Sequence, residues 1–159
     1  MTLDSLVRFF RNSLSPAQPE SPEDHEQTLR VATAAILLET AYADHSLSSR
    51  EESRILEFLQ QKFDISEDMA RELVEAAEEM RGQTIDHWNV TNTVRKSFPL
   101  TDRIQIVKAM WRLVYLDGDL HQYENYMVRK MADLLGLEHH VMIEAKLAVR
   151  KELALAGED

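Results

Sequence analysis

A chain of 159 residues can bury about 70% of its unfolded surface in one core, so nothing further is needed to hold it together. The absence of cysteine excludes a disulfide framework, thiolate zinc sites, iron–sulfur clusters and a cysteine nucleophile. A formal net charge of −10 repels a phosphate backbone and argues against nucleic-acid partners, while four glycines and four prolines are too few for a many-turned β architecture.

Leu3, Leu6, Val7, Phe10 and Leu14 share one helical face, which predicts a short amphipathic helix over residues 1–14. It would pack on the main body, dock a partner or touch a membrane surface. Asp4, Arg8 and Arg11 give it a charge of only +1, weak for anionic lipid. Residues 15–25 follow as a proline-rich linker, with Pro16, Pro19 and Pro22 forbidding a helix through them. Ser21-Pro22-Glu23-Asp24 then reads as a helix start, and the dense apolar positions from Leu29 to Tyr42 predict a helix buried in the core. Ser48 with Glu51, or Ser49 with Glu52, forms a capping box for a second helix through Phe63. Ser66 opens a third, which Gly82 ends. Thr84 or Asp86 opens a fourth around Trp88, broken at Phe98-Pro99. Thr101-Asp102 caps a fifth through Val114. A sixth runs from Gln122 to a stop at Gly136, and a seventh from Glu138 or His139 toward Leu155. Strand alternation is lacking, and no apolar run is long enough for a signal peptide or a membrane span, which makes the cytoplasm the expected location.

An internal duplication organises these elements. The stretch from Ala41 to Glu51 aligns with Val114 to Glu124 at an offset of 73 residues, with tyrosine, aspartate, leucine and glutamate identical. The break at Phe63-Asp64-Ile65 then matches Leu135-Gly136-Leu137 after a one-residue slip. The expected fold is all-α: a compact bundle of about seven helices built from two pseudo-twofold related three-helix repeats, about 29–80 and 102–153, in a domain over 26–156. An apolar helix ending in Tyr-x-Asp-Gly-x-Leu, with glutamate opening the next helix, is seen at Tyr115, Asp117, Gly118, Leu120 and Glu124. This pattern resembles the TerB-like family, which takes in the tellurite-resistance protein TerB and the N-terminal domain of the DjlA co-chaperones. The resemblance covers roughly residues 26–152, and the first copy departs from it where His45 replaces the usual glycine. It implies an all-helical, twofold-repeated domain with acidic residues at the repeat junctions, divalent metal there in some members, and no enzymatic activity.

The junction carboxylates invite chemistry on their own account. Asp44 and Asp117 stand at helix C-termini, an unfavourable place for a carboxylate, and Glu51 and Glu124 open the following helices. With Asp119 they form oxygen-only sets that suit a hard divalent cation such as Ca²⁺ or Mg²⁺, best at Asp117, Asp119 and Glu124. Asx turns and capping boxes account for the same residues without a metal, so both readings stand. His45 and His121 lie beside these carboxylates and would complete a mixed nitrogen–oxygen site or remain solvated. His25, His87, His139 and His140 have no evident partner. There is no His-Glu-x-x-His, no phosphate-binding loop and no Gly-x-Ser-x-Gly. Met80, Met110, Met127, Met131 and Met142 fall on apolar positions as core filler. Residues 21–80 carry 15 acids against 5 bases, and Glu72, Glu75, Glu78 and Glu79 line one helix that would meet a basic partner or simply face solvent.

The function expected is that of a non-enzymatic bacterial stress-response or protein-interaction module, with a divalent cation at the repeat junctions. The alternatives are a metal-dependent hydrolase built on the same carboxylates and a structural domain that homodimerises through residues 1–14.

Overall fold

The computed structural model describes residues 22–42, 47–81, 87–116 and 122–156, and among these it shows seven α-helices and no strand. They are α1 (Pro22–Ala41), α2 (Ser49–Phe63), α3 (Glu67–Arg81), α4 (His87–Ser97), α5 (Leu100–Val114), α6 (Gln122–Leu134) and α7 (His139–Ala156). The all-α class is therefore as the sequence predicts. Residues 1–14 lie outside the described residues. α1 begins at Pro22, inside the stretch 15–25 read as linker, because Pro22 supplies a helical φ and lacks only an N–H that the first turn cannot use.

α1 is the central helix. From Val31 to Leu38 every residue is buried, so no face of this stretch meets water. A helix apolar all round must be enclosed, and α1 packs against α2, α3, α4, α5 and α6. Two of its buried threonines return their hydroxyls to the helix: Thr33 Oγ1 donates to the Leu29 carbonyl at 2.7 Å and Thr40 Oγ1 to that of Ile36 at 3.1 Å. α5 is the second core helix, with Ile106, Val107, Met110 and Trp111 fully buried. Met127, Met131 and Met142 complete the core around it; the Met80 side chain lies outside the described residues.

The two three-helix units run in the same order, α1–α2–α3 and α5–α6–α7, with α4 between them. In each, the first helix packs most extensively on the third. The second break of each unit is built alike. Asp64 (φ 52°) and Gly136 (φ 78°) are the positive-φ residues described, and they occupy matching places in the duplication. Each turns the chain out of a helix while the next N–H reaches back: Ile65 N donates to Gln60 O at 3.2 Å and Leu137 N to Ala132 O at 3.0 Å.

Among the described residues, α2 and α3 start as local chemistry predicts and α5 does not. Ser48 and Glu51 form the capping box of α2: the Ser48 N–H donates to Glu51 Oε1 at 3.0 Å and the Glu51 N–H to Ser48 Oγ at 3.1 Å. Ser66 Oγ accepts from Met69 N at 3.1 Å at the start of α3. α5 does not use Thr101 or Asp102 as its cap, contrary to expectation; it starts at Leu100 with Pro99 as N-cap and no side-chain hydrogen bond. Asp102 lies in the first turn, and its carboxylate is taken by Lys62 Nζ of α2 at 2.8 Å.

Candidate binding groove

The junction carboxylates are the first residues to place. Asp44, Asp117 and Asp119 lie outside the described residues, as does the side chain of Glu124 in α6. The same holds for His45 and His121. Glu51 is described: it is buried (6% exposed) and closes the α2 capping box, so one of its oxygens already has a backbone donor. Among the described residues no group of three His, Asp or Glu side chains is arranged to hold a metal ion. His140 does have a neighbour, Glu138, with Nδ1 3.4 Å from Oε2 on the exposed start of α7.

The acidic helix α3 keeps Glu75 and Glu79 in solvent, but Glu78 is half-buried. Its Oε1 accepts the Tyr42 hydroxyl at 3.2 Å. Tyr115, the counterpart of Tyr42, instead has the Arg150 cation in its field. Burial pushes the Tyr115 phenol above its ordinary value and Arg150 partly offsets that. Tyr115 stacks on Trp111 with ring centroids 6.1 Å apart. The paired tyrosines thus share a place in the fold and differ in electrostatic setting.

A concavity lies along the seam of α2 and α5. A groove of about 490 Å³ is walled by Arg50, Arg54, Phe58 and Gln61 from α2 and by Arg112, Leu113, Tyr115 and Leu116 from α5 and its C-terminus, with the buried Leu37 behind them. Glu152 and Leu153 of α7 close one side. A second depression of about 300 Å³ continues it past Phe58 and Gln61 to Lys62, Gln105 and Lys108. The start of α2 thus faces the end of α5, while Lys62 meets Asp102 at the opposite ends, so the two helices run antiparallel. Arg50 to Lys62 spans three turns, or about 18 Å of helix.

The groove is cationic on a chain whose net charge is −10. Arg50, Arg54, Lys62, Lys108 and Arg112 line it against Glu57 and Glu152. Arg112 grips Glu152 with two hydrogen bonds, Nε to Oε2 at 2.8 Å and Nη2 to Oε1 at 3.1 Å. That contact, with the fields of Lys108 and Arg54, holds the Glu152 carboxyl below its ordinary value against the opposing effect of desolvation. Arg54 also reaches Glu57 at 3.6 Å, an exposed contact. Among the described residues Arg50 and Lys108 make no ion pair.

Sequence reasoning missed this surface because its two walls are about fifty residues apart and their bases are diluted among acids. A signal was present. Arg50 and Arg54, and again Lys108 and Arg112, are like charges at i,i+4, each pair costing a helix roughly 0.2–0.5 kcal/mol. Arg50 also sits in the first turn of α2, where the helix dipole disfavours a cation. Local choices that cost stability tend to mark functional surface.

The family model described as tellurite resistance protein TerB matches residues 30–147. Comparison with curated proteins and with solved structures gives no match in either case. The matched stretch runs from α1 into α7 and so takes in both three-helix units and α4 between them: the chain belongs to the TerB family.

Proposed function

We propose that this TerB-family chain is a non-enzymatic protein-interaction module of the cytoplasm that holds its partner in the α2–α5 groove. The supporting observation is the groove itself: a half-open seam with an apolar floor and cationic rims on an otherwise acidic molecule. Isolated surface charge is ordinary. Two walls of one sign converging on apolar side chains are what a docking site needs. No helix among the described residues is long and apolar enough to cross a membrane, which accords with a partner met in solution.

Site-specific photo-crosslinking in the producing cells tests this reading. A crosslinker at Gln61 in the groove should trap a defined protein that one at Glu75 on α3 does not. That protein, identified by mass spectrometry and purified, should bind the intact chain in a fixed stoichiometry. Equal trapping at both positions would remove the proposal. The divalent-cation role of Asp117, Asp119 and Glu124 belongs to the same reading, with Asp44 and Glu51 as the weaker copy because Glu51 is engaged as a cap. Calorimetric titration of chelator-treated protein with Ca²⁺ and Mg²⁺, beside Asp117→Asn/Glu124→Gln, should show binding that the variant loses. The stress setting carried by the family's name is tested by the tellurite tolerance of a deletion strain.

A further inference from the structure

We propose that the α2–α5 groove takes an acidic amphipathic helix of a partner protein, laid along the seam with its apolar side chains on Phe58, Leu116 and Leu153 and its carboxylates between the two cationic rims. This rests on the interaction-module reading and names the chemistry of the partner.

Three features argue for such an occupant. The first is charge. Five bases along the groove are met by three acids, Glu57, Asp102 and Glu152, although the chain as a whole has 28 acids and 18 bases. Arg50 and Lys108 hold no carboxylate among the described residues and stand ready for one.

The second is the groove's own ligand. Glu152, on the surface of α7, is drawn into the rim by both arms of Arg112 and lies within the fields of Lys108 and Arg54. The rim therefore already binds a helix-borne carboxylate in the bidentate manner that a partner's Asp or Glu would use.

The third is shape. Phe58 and Leu116 are only half-buried, and Leu153 beside them is too, so an apolar strip runs between the rims that the described residues leave partly open. A small anion would leave that strip wet. Three turns of seam, about 18 Å, match a helix of about twelve residues with anchors at i, i+3 or i+4, and i+7.

A long polyanion fits less well. Electrostatic influence falls off over about 8 Å at physiological salt, so a short acidic helix responds to the groove alone. A nucleic acid or an anionic membrane would extend past it over a chain that carries ten more acids than bases.

The test is selection of a displayed library of random peptides, each about 16 residues so as to exceed the groove length, on the intact chain. The expected sequences carry apolar residues at helical spacing flanked by Asp and Glu. A recovered peptide, synthesised with a fluorophore, should weaken about tenfold or more in anisotropy titrations against Arg54→Glu/Lys108→Glu and weaken again as salt is raised. It should keep its affinity against Arg54→Lys. Circular dichroism of each variant confirms the fold, since both side chains face the groove and not the core. Basic or uncharged winners, acidic winners indifferent to the double variant, or no winners at all would overturn the proposal. If the crosslinker at Gln61 still traps a partner in those cases, the acidic-helix occupant falls and the interaction module stands. If Gln61 traps nothing specific and no peptide is recovered, both fall.

Discussion

Gly136 is required twice over. Its φ of 78° is a region where a side chain costs about 1–2 kcal/mol, and a Cβ there would lie 2.9 Å from both Arg103 Nη1 and Arg95 Nε. Arg95 is exposed and can swing away. Arg103 is pinned, because its Nη1 donates to the Leu135 carbonyl at 2.7 Å. Gly136→Ala should therefore destabilise by about 2 kcal/mol in urea titration. Asp64 holds the matching position with φ 52°, so Asp64→Gly should go the other way and stabilise, by less than about 1 kcal/mol. Opposite signs at equivalent sites would show that the two breaks obey one backbone rule. Glu152 gives a pH dependence. Its carboxyl is lowered from an ordinary 4.5, so the folded state gains from it above that value and loses the gain as pH falls through the lower folded one. The Glu152 side chain is half exposed and the pair is screened, so the gain is about 0.5 kcal/mol. Glu152→Gln should show that loss at pH 7 and none at pH 3 or so, read by denaturant midpoints.

At the scale of the element, helix starts differ in how much they depend on side chains. α2 rests on a complete capping box, and Ser48→Ala should cost about 1 kcal/mol. Glu51→Gln keeps an oxygen that accepts from the Ser48 N–H, so its cost should be a fraction of that. Calorimetry with Ca²⁺ on the same variant separates a cap from a ligand: a cap leaves the titration unchanged. α5 has no side-chain cap, and Asp102 instead joins α5 to α2 through Lys62, with the two side chains 27% and 16% exposed. Asp102→Ala should cost about 1–2 kcal/mol, because it strands a largely buried ammonium. Lys62 keeps the Phe98 ring at 5.2 Å as a lesser partner. Lys62→Met should cost less, since Asp102 would remain in a first turn that favours negative charge. Thermal unfolding of the two variants gives the order.

For the molecule as a whole, the described core runs from Leu29 to Val149 and is closed around α1 and α5. The mass in solution of a chain lacking residues 1–20 tests the homodimer reading of the N-terminal segment: an unchanged oligomeric state would remove it. The sequence by itself determined the helical class, the seven elements, the caps of α2 and α3 and the internal similarity of its two halves. Those properties are local: they follow from apolar spacing, from serines before glutamates, and from a repeat offset visible in Tyr42 and Tyr115. It also carried the family, because Tyr115, Asp117, Gly118, Leu120 and Glu124 stand in the pattern that resembles it. The start of α5 was misread because a local rule cannot see Lys62, which lies forty residues away and claims the capping acid. The groove was decided by tertiary structure alone. Its bases pair across α2, α5 and α7, and a charge becomes a binding surface only when antiparallel packing sets two walls of one sign facing each other over half-buried apolar side chains. Spacing along one helix records which residues share a face; which face meets which is fixed by how the core closes.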